Sequence, residues 1–198
     1  MFKKLTWLAA AVAAVASFGA ATASASWYHS GVALFAGEER TIHFTGTWKF
    51  SSSAGGIHCA NTTVLIHATG GTTTGHATFS VSNPTECEVS GGLVLLCGGT
   101  TKLETVTHTQ GATVHIIPGT DHLTVTNFTQ HQACANGFKF DFTSGEKPLT
   151  IENLDNPKAI SKGTISGSLK TNLSSGTLSI LAHLEVTPSE AGTYGITG

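Results

Sequence analysis

The segment Thr41–Phe50, TIHFTGTWKF, sets Ile42, Phe44, Trp48 and Phe50 on one side of an extended chain and Thr41, His43, Thr45, Thr47 and Lys49 on the other. A period of two is the pattern of a strand with one buried face. The pattern recurs between turns rich in Gly, Ser, Thr and Pro. HATFSVS aligns Ala77, Phe79 and Val81, DHLTVTNF aligns Leu123 and Val125, and GFKFDF aligns Phe138, Phe140 and Phe142. In IHCANTTVLIHAT the alternation groups His58, Thr62, Val64 and Ile66 against Cys59, Leu65 and His67. GGLVLLCGG reads as a short apolar strand, TKLETVTHT and ATVHIIP as partners joined at Gln110-Gly111, and GTISGSLKT and GTLSILAHLEVT as a hairpin turning at NLSSG. Beyond the first 25 residues no window of helical length carries the helical period with caps. About ten short strands at this regular spacing predict one all-β domain, a β-sandwich or jelly-roll-like double sheet.

The chain starts with Lys3 and Lys4, runs through apolar residues from Leu5 to Gly19, and reaches the small residues Ala23-Ser24-Ala25. That order is expected of a secretory signal peptide over residues 1–25. The apolar run falls short of the roughly 20 residues that span a bilayer, so no stable membrane insertion is expected once it is removed. Losing Lys3 and Lys4 takes the formal charge from −2 to −4 with histidine neutral, which offers no basic footprint for nucleic acid. The expected organisation is a signal peptide (1–25), an N-terminal strand exchangeable between subunits (26–37), a β-sandwich domain (38–187) and a C-terminal tail (188–198).

Cys59, Cys87, Cys97 and Cys134 make an even set in a chain read as secreted, so two disulfides are expected. Three connectivities are open. The favoured one staples the Gly-rich turn by Cys87–Cys97 and leaves Cys59 with Cys134. No paired short spacing such as C-x-x-C suggests a metal site.

Recognisable catalytic machinery is missing from the sequence. The carboxylates sit mostly in turns with no spacing that singles out a pair, there is no G-x-S-x-G elbow, and oxidised cysteines are not nucleophiles. We therefore expect a non-enzymatic protein without a cofactor. Histidine is the unusual ionisable residue, with 10 in the chain but no H-x-H or H-E-x-x-H, so a histidine-based metal-binding protein stands as an alternative without assigned ligands.

Taken in order, GGIHCANTTV, SNPTEC, GGLVLLC, LTVTNFTQHQAC and KGTISGSL resemble the small secreted bacterial proteins known as activators of alkane oxidation, over about Phe44 to Leu169. The resemblance implies a secreted or surface-associated single β domain and carries over no catalytic residue.

SWYHSGVALFAG, Ser26 to Gly37, bears large apolar groups on both faces if read as one strand: Tyr28, Val32 and Leu34 on one, Trp27 and Phe35 on the other. Such a strand wants cover on both sides. The expected function is a secreted structural protein at the cell surface, a homo-oligomer or polymer such as a fibre or surface layer. Trp27, Tyr28, Val32, Leu34 and Phe35 would join a neighbour by β-strand addition. The alternative is a monomeric extracellular binding module for an apolar ligand or a sugar.

Overall fold

A computed structural model describes residues 25–81, 83–107, 109–152, 154–173 and 177–197, so the signal-peptide reading falls, but for Ala25, outside the described residues. Fifteen strands form among these residues. They are β1 (Ser26–His29), β2 (Val32–Ala33), β3 (Glu39–Ser52), β4 (Gly55–Thr69), β5 (Thr74–Val81), β6 (Cys87–Gly91), β7 (Leu103–Thr107) and β8 (Thr109–Ile116). They continue with β9 (Leu123–Thr126), β10 (Thr129–Cys134), β11 (Lys139–Ser144), β12 (Leu149–Glu152), β13 (Lys162–Thr171), β14 (Thr177–Val186) and β15 (Tyr194–Thr197). Among the described residues helical structure is limited to a 3₁₀ turn at Pro84–Glu86 and one turn, α1, at Leu93–Leu96.

The protein is all-β, and its main sheet closes on itself. Antiparallel pairings run β3–β4–β5–β8–β9–β12–β13–β14 and back to β3, a ring of eight strands. The long strands β3, β4, β13 and β14 extend beyond this ring, where a second set of shorter strands takes over the pairing. The start of β4 pairs with β6, and the end of β13 pairs with β11, which leads through β10 to β7. A bridge between Glu88 and Lys102, with Val89 N–H donating to the Thr101 carbonyl at 2.8 Å, joins β6 to the chain entering β7. The two layers of the expected double sheet are thus opposite walls of one closed sheet. Closure removes the long unpaired edges that an open sandwich would have to protect.

Inward positions fill the space. Along β14, Leu178, Ile180, Ala182, Leu184 and Val186 are buried in strict alternation. Ile42, Phe44, Trp48 and Phe50 do the same along β3, as the sequence pattern predicts. Trp48 lies at the centre, with ring centroids 5.7 Å from Phe79 and 5.9 Å from Phe128, and Phe50 stacks on Phe142 at 4.7 Å. Phe140 and Phe142 belong to this core, so most of the aromatic stripe of β11 is packing. The neighbouring strands β3 and β14 approach closely at Gly46, where a Cβ would fall 1.9 Å from the His183 carbonyl oxygen of β14.

Four local readings differ from the sequence pattern, each for a physical reason. In β4 both Cys59 and Val64 are buried, because three residues from Cys59 to Thr62 span two from Trp48 to Gly46. This is a β-bulge with Asn61 in the left-handed region (φ 54°), and it reverses the side-chain phase that puts Cys59 opposite Val64 on paper. GGLVLLC contains the helical turn α1 instead of a strand. The strands β7 and β8 are not hairpin partners; β7 pairs with β10, and β8 pairs with β5 and β9. The expected C-terminal tail holds β15, in which Ile196 is fully buried and Tyr194 nearly so.

The disulfides are Cys59–Cys87 and Cys97–Cys134, in place of the favoured pairing. Cys87 on β6 stands directly opposite Cys59 on β4 in the ladder, while α1 carries Cys97 to the end of β10 at Cys134. The chain 154–161 backs β15, with Ile160 N–H donating to the Tyr194 carbonyl at 2.7 Å and Ile196 N–H to the Pro157 carbonyl at 2.6 Å. Asp155 ties this segment down. Partial burial opposes its charge, but the Ser161 hydroxyl and the N–H groups of Ser161, Lys162 and Asn156 outweigh that and hold its carboxyl at about 2. A folded-state value below the 3.8 of a free aspartate means that the stabilisation is complete above about pH 4 and disappears as the pH falls toward 2. In Asp155→Ala the stability deficit should therefore be constant at neutral pH and vanish across that acidic window, as read from denaturation at a series of pH values.

Candidate functional site

The N-terminal segment is a hairpin, not one strand. Ser30 (φ 51°) and Gly31 (φ 78°) both take the left-handed conformation, which is what a two-residue type I′ turn between antiparallel strands requires. His29 then faces Val32 and Tyr28 faces Ala33, and Leu34 N–H donates to the Trp27 carbonyl at 2.9 Å. Trp27 is buried and its Nε1 donates to the Thr74 carbonyl at 3.2 Å, while Leu34 is buried beside it and Tyr28 is half-buried. On its other side β1 pairs with β15, from Ser26 opposite Thr197 to His29 opposite Tyr194. The cover for Trp27 therefore comes from its own chain.

Two residues of the expected self-association set remain outside. Val32 is 59% exposed and Phe35 75%, although both are large apolar side chains. They sit where the chain turns into β3, held by hydrogen bonds from Gly37 N–H to the Gly70 carbonyl and from Gly70 N–H to the Glu38 carbonyl, and by an Arg40–Glu38 ion pair at 2.7 Å.

At the far end of β3 a second apolar pair stands out. Leu95 is 81% exposed and Leu96 38%, on the helical turn α1. This turn is fixed from three directions. Gly92 N–H donates to the Ala54 carbonyl at 2.7 Å, buried Leu93 packs beneath it, and Asn136 Nδ2 donates to the Leu96 carbonyl at 2.8 Å, beside the Cys97–Cys134 disulfide. The 14 residues of β3 separate the two ends, a span of roughly 45 Å at about 3.3 Å per residue. Leu181 on β14 is the other large apolar residue exposed among those described. No family model, curated protein or solved structure matches this chain.

The charged groups are arranged along the outside of the walls. The Lys102 ammonium hydrogen-bonds to Glu88 and holds its carboxyl below the usual value, at the bridge between β6 and β7. His131 Nδ1 lies 2.6 Å from Asp141 Oδ1 in a shallow depression on β10 and β11. Among the described residues no group of three or more His, Cys, Asp or Glu side chains is placed to hold a metal ion.

A polar belt inside the closed sheet was not legible as such. Thr62, Gln130 and Gln132 are fully buried, and the Trp48 Nε1, the Thr62 hydroxyl, both polar atoms of the Gln130 amide and the Gln132 Oε1 have no hydrogen-bond partner. Gln132 Nε2 reaches across the interior to Cys59 Sγ at 3.9 Å. The alternation in TQHQAC was the available signal, but glutamine in the inward slot reads as an outward face.

Proposed function

We propose that this is a secreted, non-enzymatic structural protein that assembles end to end into extracellular filaments. The observation that carries the reading is the placement of exposed apolar side chains in two unlike pairs, Val32 with Phe35 and Leu95 with Leu96, at opposite ends of the long strands. A contact between two different patches on the same molecule is heterologous, and unless its rotation closes a ring it propagates into an open filament. The two disulfides suit an oxidising, extracellular location.

The geometry favours side-chain contacts at the ends over β-strand addition. The main sheet is a ring, β15 is backed by residues 157–160, and β2 is two residues long. An edge that short offers little to a neighbouring strand.

Variants that place a charge on each apolar patch separate the ends. Phe35→Asp and Leu95→Asp should each leave the protein monomeric by native mass spectrometry and remove filaments from electron micrographs, while the unsubstituted protein forms them. Mixed together, the two variants should yield one-to-one dimers and nothing longer, because each retains the end that the other lacks. Unsubstituted protein that stays monomeric as its concentration rises, or variants that still polymerise, would overturn the proposal and turn attention to ligand binding by a monomer.

A further inference from the structure

The topology assembles histidines that are scattered in the sequence. On β4, His67 lies between buried Ile66 and Ala68, and on β5, His76 lies between buried Gly75 and Ala77, so both rings point outward. The two are direct partners in the β4–β5 ladder. Side chains so opposed have Cβ atoms roughly 4.5–5.5 Å apart, which lets two imidazoles converge on one ion. On the other side of β4, His67 stands opposite Thr41 of β3, and the Thr41 hydroxyl meets His67 Nδ1 at 2.9 Å. That contact engages one ring nitrogen and presents Nε2, as supporting groups do for metal-binding histidines.

We propose that His67 and His76 form a two-imidazole surface site for a late first-row divalent cation, with Thr41 as the positioning residue and water completing the coordination. Imidazole suits zinc, nickel and copper, and Cu²⁺ binds most tightly in that series, so Cu²⁺ is the probe of choice. Two protein ligands are fewer than the group of three or more that is missing among the described residues. They make an exposed, exchangeable site and not a structural one. His43 on β3 and His115 on β8 share the outer surface but are displaced along it, opposite Leu65 and Thr74 respectively. They serve as internal controls.

The test is calorimetric titration of Cu²⁺ into the untagged, disulfide-bonded protein, with electron paramagnetic resonance to count coordinated imidazole nitrogens. One ion per chain with two imidazoles is expected. His67→Ala and His76→Ala should each weaken binding by about tenfold or more and leave one imidazole in the spectrum, and Thr41→Val should weaken it severalfold with both imidazoles retained. His43→Ala and His115→Ala should change it by less than about twofold. All five positions are outward or half-exposed, and unchanged thermal unfolding of each variant confirms that binding and not folding is being read. Affinity untouched by His76→Ala, or reduced equally by His43→Ala, would overturn the assignment of the site. Both imidazoles belong to one chain, so the count of ions and nitrogens per chain is independent of filament formation.

Discussion

Trp48→Ala should lower the stability of the protein by about 3–5 kcal/mol, the range for deleting a large buried aromatic side chain. Trp48 has no solvent exposure, and its ring meets Phe50, Phe79 and Phe128, so the lost volume lies where both walls contribute and where neither can collapse without moving the other. The companion variant separates packing from polarity. Trp48 Nε1 is buried without a partner, and such a group costs about 1–3 kcal/mol. Trp48→Phe removes that N–H while keeping an aromatic ring in place, so its cost should be well under half that of alanine. Chemical denaturation of the three proteins, with near-ultraviolet circular dichroism to follow aromatic packing, checks both statements. Equal losses in the two variants would mean that the indole N–H has a partner in solution.

The second large effect concerns the end of the sheet that the short strands close. Replacing Cys59 and Cys87 together by alanine should cost about 3.6 kcal/mol, the loop entropy released by a cross-link between residues 28 apart. The loss should be local before it is global. The Cys59–Cys87 bond holds β6 on β4, and β6 in turn carries the bridge from Glu88 to Lys102 that leads to β7. Amide exchange should accelerate first in β6 and in the chain entering β7. The ring through β5, β8, β9 and β12, which closes by its own ladders, should stay protected. A uniform acceleration over both regions would show that the sheet opens as a single unit.

Much of the β architecture could be read from particular residues. The alternation in TIHFTGTWKF, HATFSVS and GTLSILAHLEVT places Ile42, Phe44, Phe79, Ile180 and Leu184 in the interior where they are found. Such strands are amphipathic by themselves, so their buried face needs no knowledge of neighbours. SWYHSGVALFAG was harder. Its Ser-Gly dipeptide is a turn signal between apolar runs, yet only the pairing of His29 with Val32 makes it a hairpin and divides its apolar residues into buried Trp27 and Leu34 and exposed Val32 and Phe35. The exposed pair Leu95 and Leu96 gave no warning, because LVLL is as consistent with a buried strand as with the single helical turn it forms.

By itself, then, the amino-acid sequence determined the all-β class, the inward face of strands such as β3, β5, β9 and β11, and the number of half-cystines, since these follow from local periodicity and composition. Tertiary structure alone decided that the sheet closes, that Cys59 meets Cys87, that Gln130 and Gln132 are sealed inside, and that His67 stands across from His76. Each of these depends on register between segments far apart in the chain. A bulge of one residue, such as that at Asn61, reverses every side chain beyond it, and no local pattern records where the ladder slips.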